Sequence, residues 1–389
     1  MKKNPHLIRE FLLHQREHHL YRFTRLSESA QQPSMLIDGK QLLTFCSNDY
    51  LGLANHPKLI EAFRIAADRY GVGSGAAHLI NGHNIEHERL EEEIAAFTGR
   101  QRALLFSTGY MANLGTISAL TEKSETIFQD RLNHASLIDA GRLSDATMWR
   151  YGHNNIDNLT KRLERHHETS SMIITDGVFS MDGDVAKLDE LAKLAQQNQS
   201  WLMVDDAHGF GVLGETGGGL VEEQGVTSNE VPILMATLGK AAGTAGAFVA
   251  GDEDLIEYLI QAARTYVFTT AMPPAIAAAG RMSLRLMQEE SWRREQLHQN
   301  IKQFKLGAHE LGLALMTSDT AIQPILIGSS SQAINLSEQL LDKGILVTAI
   351  RPPTVANNEA RLRVTLTASH TPLHIEQLLE ALATLKITQ

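Results

Sequence analysis

From about residue 55 onward the apolar positions alternate between two rhythms. Stretches with apolar residues three and four apart predict helices near 57–70, 84–98, 111–121, 134–144, 157–168 and 187–198. Short apolar runs fall between most of them, at 103–106, 126–128, 148–151, 172–175 and 201–204, and further runs follow at 233–236 and 247–250. Such runs, alternating with helices, predict an α/β fold with a mostly parallel sheet covered on both faces. In such sheets ligands sit beyond the carboxyl ends of the strands.

The flanking segments read differently. Residues 1 to about 20 predict an amphipathic helix with Leu7, Ile8, Phe11 and Leu12 on one side. Residues 35–43 read as a hairpin turning at Asp38-Gly39. A long helical region from about 275 to 310 leads into a smaller α+β unit. Its strands are expected at 322–327, 345–349 and 362–366, and its helices near 331–343 and 372–386. The expected organisation is an N-terminal helix-and-hairpin arm (1–50), a large domain (51–280) and a small C-terminal domain (281–389). The glycine-rich stretch 214–219 reads as a loop with no helix opening close behind it, and so not as a phosphate cradle.

Composition narrows the functional classes. The chain of 389 residues carries a net charge of -10, which argues against a nucleic-acid surface. Its single cysteine, Cys46, forms no internal disulfide and fits a reducing cytosol. No apolar run is long enough to span a bilayer, and the charged N-terminus lacks the apolar centre of a signal peptide. The 17 histidines show no HExxH or other tight ligand spacing, so no metal is expected.

The candidate chemistry clusters after the predicted strands. Thr237-Leu238-Gly239-Lys240 places a lysine just past one apolar run, and Val204-Asp205-Asp206-Ala207-His208 places acids and a histidine after another. Pyridoxal phosphate (PLP) needs such a pair: an amine to hold its aldehyde as a Schiff base, and a carboxylate to keep its ring nitrogen protonated. Asp205 suits the second task, because a carboxylate ending an apolar strand is costly to bury without a partner. Asp206 reads as a structural acid. Ser107-Thr108-Gly109-Tyr110 opens a helix and is readable either as a phosphate site or as a plain strand-to-helix turn. His134 is readable as a ring-stacking residue or as a helix cap, and Ser180 as a cofactor donor or as a turn serine beside Asp182-Gly183. His208 has the ring hydroxyl or a supporting position as its alternatives, and the Thr237 hydroxyl is within reach of the phosphate or ring oxygen. Arg361 and Arg363 share one face of a strand, where one clamps a carboxylate or both line a solvated edge. Arg351-Pro352-Pro353-Thr354 is a stiff turn able to hold Thr354 over a pocket.

Together these segments resemble the α-oxoamine synthases, PLP enzymes of the aspartate-aminotransferase fold (fold type I). The likeness runs through Ser47-Asn48-Asp49-Tyr50-Leu51-Gly52-Leu53, Gly71-Val72-Gly73-Ser74-Gly75, Asn133-His134-Ala135-Ser136, residues 177–184 and 349–355, besides the motifs above. The resemblance implies that Lys240 is the Schiff-base lysine, Asp205 pairs with the ring nitrogen, His134 stacks on the ring and His208 contacts its oxygen. It implies that Gly109, Tyr110, Ser180 and Thr237 complete the cofactor site. It also implies that Arg22, His134 and Thr354 contact substrate and that Arg363 holds the amino-acid carboxylate. A cytoplasmic homodimer is expected, with Thr269 or Thr270 of the neighbour near the phosphate. Residues 348–355 and 361–367 lean toward the branch that joins L-alanine to a pimeloyl thioester, on CoA or on a carrier protein. Glycine C-acetyltransferase, 5-aminolevulinate synthase and aminoketone-signal synthases remain the alternatives. The chain departs from its relatives at Ala76-Ala77-His78, at Asp176 and at Ala241-Ala242-Gly243.

Overall fold

A computed structural model describes residues 5–18, 20–166, 170–385 and 387. The chain divides into two units, one of residues 49–180 and 184–296, the other of residues 1–48, 181–183 and 297–389.

The first unit is built on seven strands: β1 (Arg102–Phe106), β2 (Thr126–Asp130), β3 (Thr147–Tyr151), β4 (Ser171–Asp176), β5 (Trp201–Asp205), β6 (Ile233–Thr237) and β7 (Ala247–Gly251). They lie in the order β1-β7-β6-β5-β4-β2-β3. Only β7 runs antiparallel to its neighbours, and the remaining pairs are parallel. Strands β2, β4 and β7 are buried from end to end, as their continuous apolar runs require, whereas the edge strand β3 leaves Trp149 exposed. Every expected strand of this sheet is present.

Helices α1 (Pro57–Tyr70), α2 (Ile85–Thr98), α3 (Gly109–Leu120), α4 (Ala135–Leu143) and α5 (Pro274–Glu289) belong to the same unit. Local chemistry sets their starts. The Asn84 side chain caps α2 in a capping box with His87, and Thr108 accepts the Met111 N–H at 3.1 Å to cap α3. The helix expected at 111–121 therefore opens two residues earlier, at Gly109. The long helical region expected to 310 is two helices, α5 and Trp292–Glu310. The break lies at Glu290-Ser291, where no glycine or proline announces it. Arg293 follows immediately, buried, donating to the Leu51 carbonyl at 2.9 Å and paired with Glu290 at 2.7 Å.

The glycine-rich loop corrects one expectation. A single-turn helix, Leu220–Glu223, does open directly after Gly219. Its Leu220 N–H bonds the Asp206 carboxyl group at 2.7 Å, so the chain's own side chain already occupies that helix start. Gly219 has φ +92°, and a β-carbon there would lie 1.9 Å from Asp206 Oδ2.

The second unit holds two three-stranded sheets. One is the hairpin Ser34–Ile37 with Lys40–Thr44, turning through Asp38 (φ 50°) and Gly39 (φ 72°) as Asp-Gly hairpins do. Ile345–Leu346 adds to it in parallel. The other joins Ile322–Gly328, Ala360–Thr365 and Thr348–Ile350, all antiparallel. The strand expected at 345–349 is thus two pieces, and the chain changes sheets at the buried Val347. Helix Pro5–Glu17 covers the described part of the expected N-terminal helix; residues 1–4 and 19 lie outside the described residues. Helices Ser330–Asp342 and Pro372–Ala383 match expectation, although residue 386, the expected end of the last helix, also lies outside them. No helix among the described residues is long and apolar enough to cross a membrane.

Candidate active site

In the seven-stranded unit, one cavity of about 250 Å³ gathers Gly109, Tyr110, His134, Ser180, Asp205, His208, Thr237 and Lys240. Each sits at or just beyond the carboxyl end of a strand: Gly109 after β1, His134 after β2, Ser180 after β4, Asp205 and His208 at β5, Thr237 and Lys240 at β6. These strands end on one rim because they are parallel, so residues 131 positions apart in sequence, from Gly109 to Lys240, become neighbours.

Asp205 is 5% exposed. Its Oδ2 accepts from Asn113 Nδ2 at 2.8 Å and its Oδ1 from the Ala207 N–H at 3.1 Å. Both of these donors are neutral, so neither supplies a counter-charge to the carboxylate. A protonated ring nitrogen is a fitting counter-charge, and a lysine amine, Lys240, lines the same walls. The N–H groups that open α3 at Gly109 add an anion-binding end. These residues fit PLP.

Asp176 and Asp206 lie close by and serve the backbone. The Asp176 carboxylate accepts the His134 N–H at 2.7 Å. Burial, reinforced by the charge of Asp205, raises its pKa well above the usual carboxylate range. Asp206 is fully buried, as its structural reading requires.

The individual side chains resolve several open readings. His134 is both a wall of the cavity and the cap of α4: its Nδ1 accepts the Ser136 N–H at 3.3 Å. Tyr110 points its hydroxyl at Asp139. The Thr237 hydroxyl donates to the Gly246 carbonyl at 2.9 Å and accepts the Gly239 N–H at 3.2 Å, which stiffens the turn that carries Lys240. His208 shares a 2.5 Å hydrogen bond between its Nδ1 and the Tyr50 hydroxyl. Ser180 rides on a loop closed by the Phe179 N–H to Asp184 carbonyl bond, 2.9 Å. Asp184 is held in turn by His153 Nε2 at 2.7 Å, and His153 Nδ1 bonds Asp130 at 3.0 Å.

Arg22, Thr354 and Arg363 belong to the other unit. Arg22 lines a cavity of about 470 Å³ with Arg16, Arg25 and Arg351. Thr354 is exposed on the Arg351–Pro353 turn, which its N–H closes onto the Arg351 carbonyl at 3.1 Å. Arg361 and Arg363 are buried, so the reading of a solvated edge fails. Arg361 is committed to Asp182 at 2.8 Å, whereas Arg363 bonds the Thr365 hydroxyl at 2.9 Å and Asn48.

The structure gives roles to residues that the sequence left without one. Asn113 and Ser136 stand behind Asp205 and His134, and Tyr50 behind His208. Tyr50 and Ser136 fall within quoted motifs, but only the folded arrangement shows whom they touch. Two groups with metal-like spacing also emerge, His78-His83-His87 and His83-Glu88-Glu91. Both ring nitrogens of His83 and of His87 are engaged already. His87 bonds the Asn84 N–H and the Met272 carbonyl, and His83 bonds His78 at 2.8 Å and Glu88 at 2.9 Å. Glu91 spends an oxygen on the Leu105 N–H, and burial lifts its carboxyl to about 8.

Residues 40–382 match the family of class I and II aminotransferases. An 8-amino-7-oxononanoate synthase of Pseudomonas fluorescens is 58% identical over 368 residues, covering 95% of this chain and 94% of its own. A serine palmitoyltransferase of S. paucimobilis, solved with a bound PLP–myriocin aldimine, superposes with a TM-score of 0.92 at 31% identity, over 97% of this chain and 96% of that one. An 8-amino-7-oxononanoate synthase of Francisella tularensis superposes with a TM-score of 0.77 at 36% identity, over 88% of this chain and 97% of that one.

Proposed function

We infer the reaction from a plain premise: this chain belongs to the class I and II aminotransferase family and, within it, to the α-oxoamine synthases. It is a PLP-dependent acyltransferase of the 8-amino-7-oxononanoate synthase kind, and its reaction belongs to biotin biosynthesis. The substrates we assign are L-alanine and a pimeloyl thioester, on CoA or on a carrier protein. A carbon–carbon bond forms between alanine Cα and the pimeloyl carbonyl carbon. The thioester C–S bond and the bond from Cα to the alanine carboxyl break, releasing thiol and CO2. The observation that carries this reading is the buried Asp205 carboxylate in one cavity with Lys240, in a chain 58% identical to a synthase of that name.

When bound, PLP supplies an electron sink for the charge left at Cα. Lys240 would anchor it, and its Nζ would then take and return the Cα proton. Asp205 keeps positive charge on the ring nitrogen. His134 would cover the ring, His208 and Ser180 would address its oxygen and phosphate, and the α3 start at Gly109-Tyr110, with Thr237, would hold the phosphate. The family resemblance assigns Arg363 to the alanine carboxylate and Arg22 and Thr354 to the acyl substrate. The enzyme acts in this reading as a cytoplasmic homodimer, with Thr269 or Thr270 of the neighbour beside the phosphate.

Mass analysis of the product from alanine and pimeloyl-CoA tests the reaction: 8-amino-7-oxononanoate is expected, with glycine giving far less turnover. Lys240→Ala is expected to lose both the visible absorption of the bound cofactor and activity. Turnover retained in that variant, or a faster reaction with glycine and a short acyl-CoA, would overturn the assignment.

A further inference from the structure

We propose that the helix-capping bonds of His134 fix its working tautomer, with Nδ1 unprotonated and the proton on Nε2, and that Ser136 and Asn113 are the positioning residues that tie this ring to Asp205. The inference rests on the reaction assigned above and specifies what His134 does in it.

The argument is one of counting protons. The amide of Asn113 has two hydrogens on Nδ2, and it spends them on Asp205 Oδ2 at 2.8 Å and Ser136 Oγ at 2.9 Å. Turning the amide over would set its oxygen against a carboxylate, so the orientation is determined. Ser136 Oγ therefore accepts from Asn113, and its own hydrogen is free to go to His134 Nδ1, 2.7 Å away. The Ser136 backbone N–H points at the same Nδ1 from 3.3 Å. Two donors converge on one ring nitrogen, which must present its lone pair. A neutral imidazole with an accepting Nδ1 carries its hydrogen on Nε2. The ring is neutral because burial, chiefly, lowers its basicity, with Lys240 adding to the effect and Asp205 opposing it.

The chain Asp205–Asn113–Ser136–His134 is thus a continuous relay in which every hydrogen has one destination. Asn113 and Ser136 are buried, at 0% and 1% exposure, so water does not compete for these bonds. The consequence for chemistry is specific. His134 faces the cavity as a hydrogen-bond donor and does not abstract a proton, which leaves Lys240 as the base. The two readings of His134, cap and ring-stacking residue, become one: the cap dictates which ring nitrogen the cavity receives.

Nitrogen-15 NMR of the full-length protein with labelled histidine, cofactor-free and loaded, tests this directly. The His134 signals are identified by their loss in His134→Gln. At pH 7–9 Nδ1 is expected to resonate as an unprotonated nitrogen and Nε2 as an N–H. Ser136→Ala is expected to shift the Nδ1 resonance and lower turnover about tenfold at unchanged cofactor occupancy, the effect of one lost hydrogen bond. Ser136→Thr, which keeps the hydroxyl, is expected to restore both. A proton found on Nδ1 in the wild type overturns the tautomer, and a Ser136→Ala protein with unchanged Nδ1 and turnover overturns the relay. Either result leaves the reaction standing. Conversely, the expected tautomer in a protein that yields no 8-amino-7-oxononanoate would sink the reaction alone.

Discussion

Two adjacent aspartates, one ending β5 and one just beyond it, divide the work between them. Asp205 faces the cavity; Asp206 faces a wall of glycines, where β-carbons at Gly177, Gly209 and Gly219 would lie 2.7, 2.1 and 1.9 Å from its oxygens. Burial, chiefly, and the neighbouring charge of Asp205 lift the Asp206 carboxyl to about 8, against the Leu220 N–H that favours the anion. Its unfolded value is near 3.8, so between about pH 4 and 8 the native state binds more protons than the unfolded one. Stability from this residue therefore falls as pH rises through that window. Asp206→Asn keeps an acceptor for Leu220 and does not titrate. Its melting temperature is expected to gain on the wild type steadily from pH 5 to pH 8.5; a gap independent of pH would show that Asp206 is ionised throughout.

At the scale of elements, the sheet was legible because parallel strands buried on both faces need unbroken apolar runs, and 126–128, 172–175 and 247–250 are such runs. The positions of Lys240 and Asp205 followed, since strand ends carry the site. What escaped the sequence was pairing across distance. Nothing local couples Tyr50 to His208, 158 residues on, or Asn113 to Asp205, 92 residues on. The sheet change at Val347 and the helix break at Glu290 were hidden for a related reason: tertiary contacts, not glycine or proline, impose them. The Ser180 loop is another such case, because it is moored through His153 to the end of β2. Burial alone would lower the His153 pKa, but hydrogen bonds to Asp130 and Asp184 outweigh it and raise it to about 10. A raised histidine stabilises fully below its unfolded value of 6.5 and loses that contribution as pH climbs toward 10. The deficit in melting temperature of His153→Gln is accordingly expected to be largest at pH 6 and to shrink by pH 10, by calorimetry at matched ionic strength. A constant deficit would mean the ring is neutral.

For the molecule as a whole, the apolar surface is the telling quantity. Leu7, Ile8, Phe11 and Leu12 are exposed along helix Pro5–Glu17, the face that the sequence marks as amphipathic, and Val72, Ile80 and Phe268 are 88%, 77% and 72% exposed. Apolar side chains exposed to this degree, in each unit taken by itself, are what the proposed homodimer would cover. Sedimentation equilibrium is expected to give twice the mass of one chain, and Phe268→Asp to weaken that association at least about tenfold, or about 1.4 kcal/mol. A monomer at micromolar concentration would refute the homodimer.

The placement of the cavity also has a consequence for how the protein is made. Its eight expected cofactor residues lie between Gly109 and Lys240, and the unit that holds them ends at Gln296. Translation proceeds from the N-terminus and domains tend to fold as units. The stretch of chain that lines this cavity is therefore made, and free to begin folding, before residues 297–389 are synthesised.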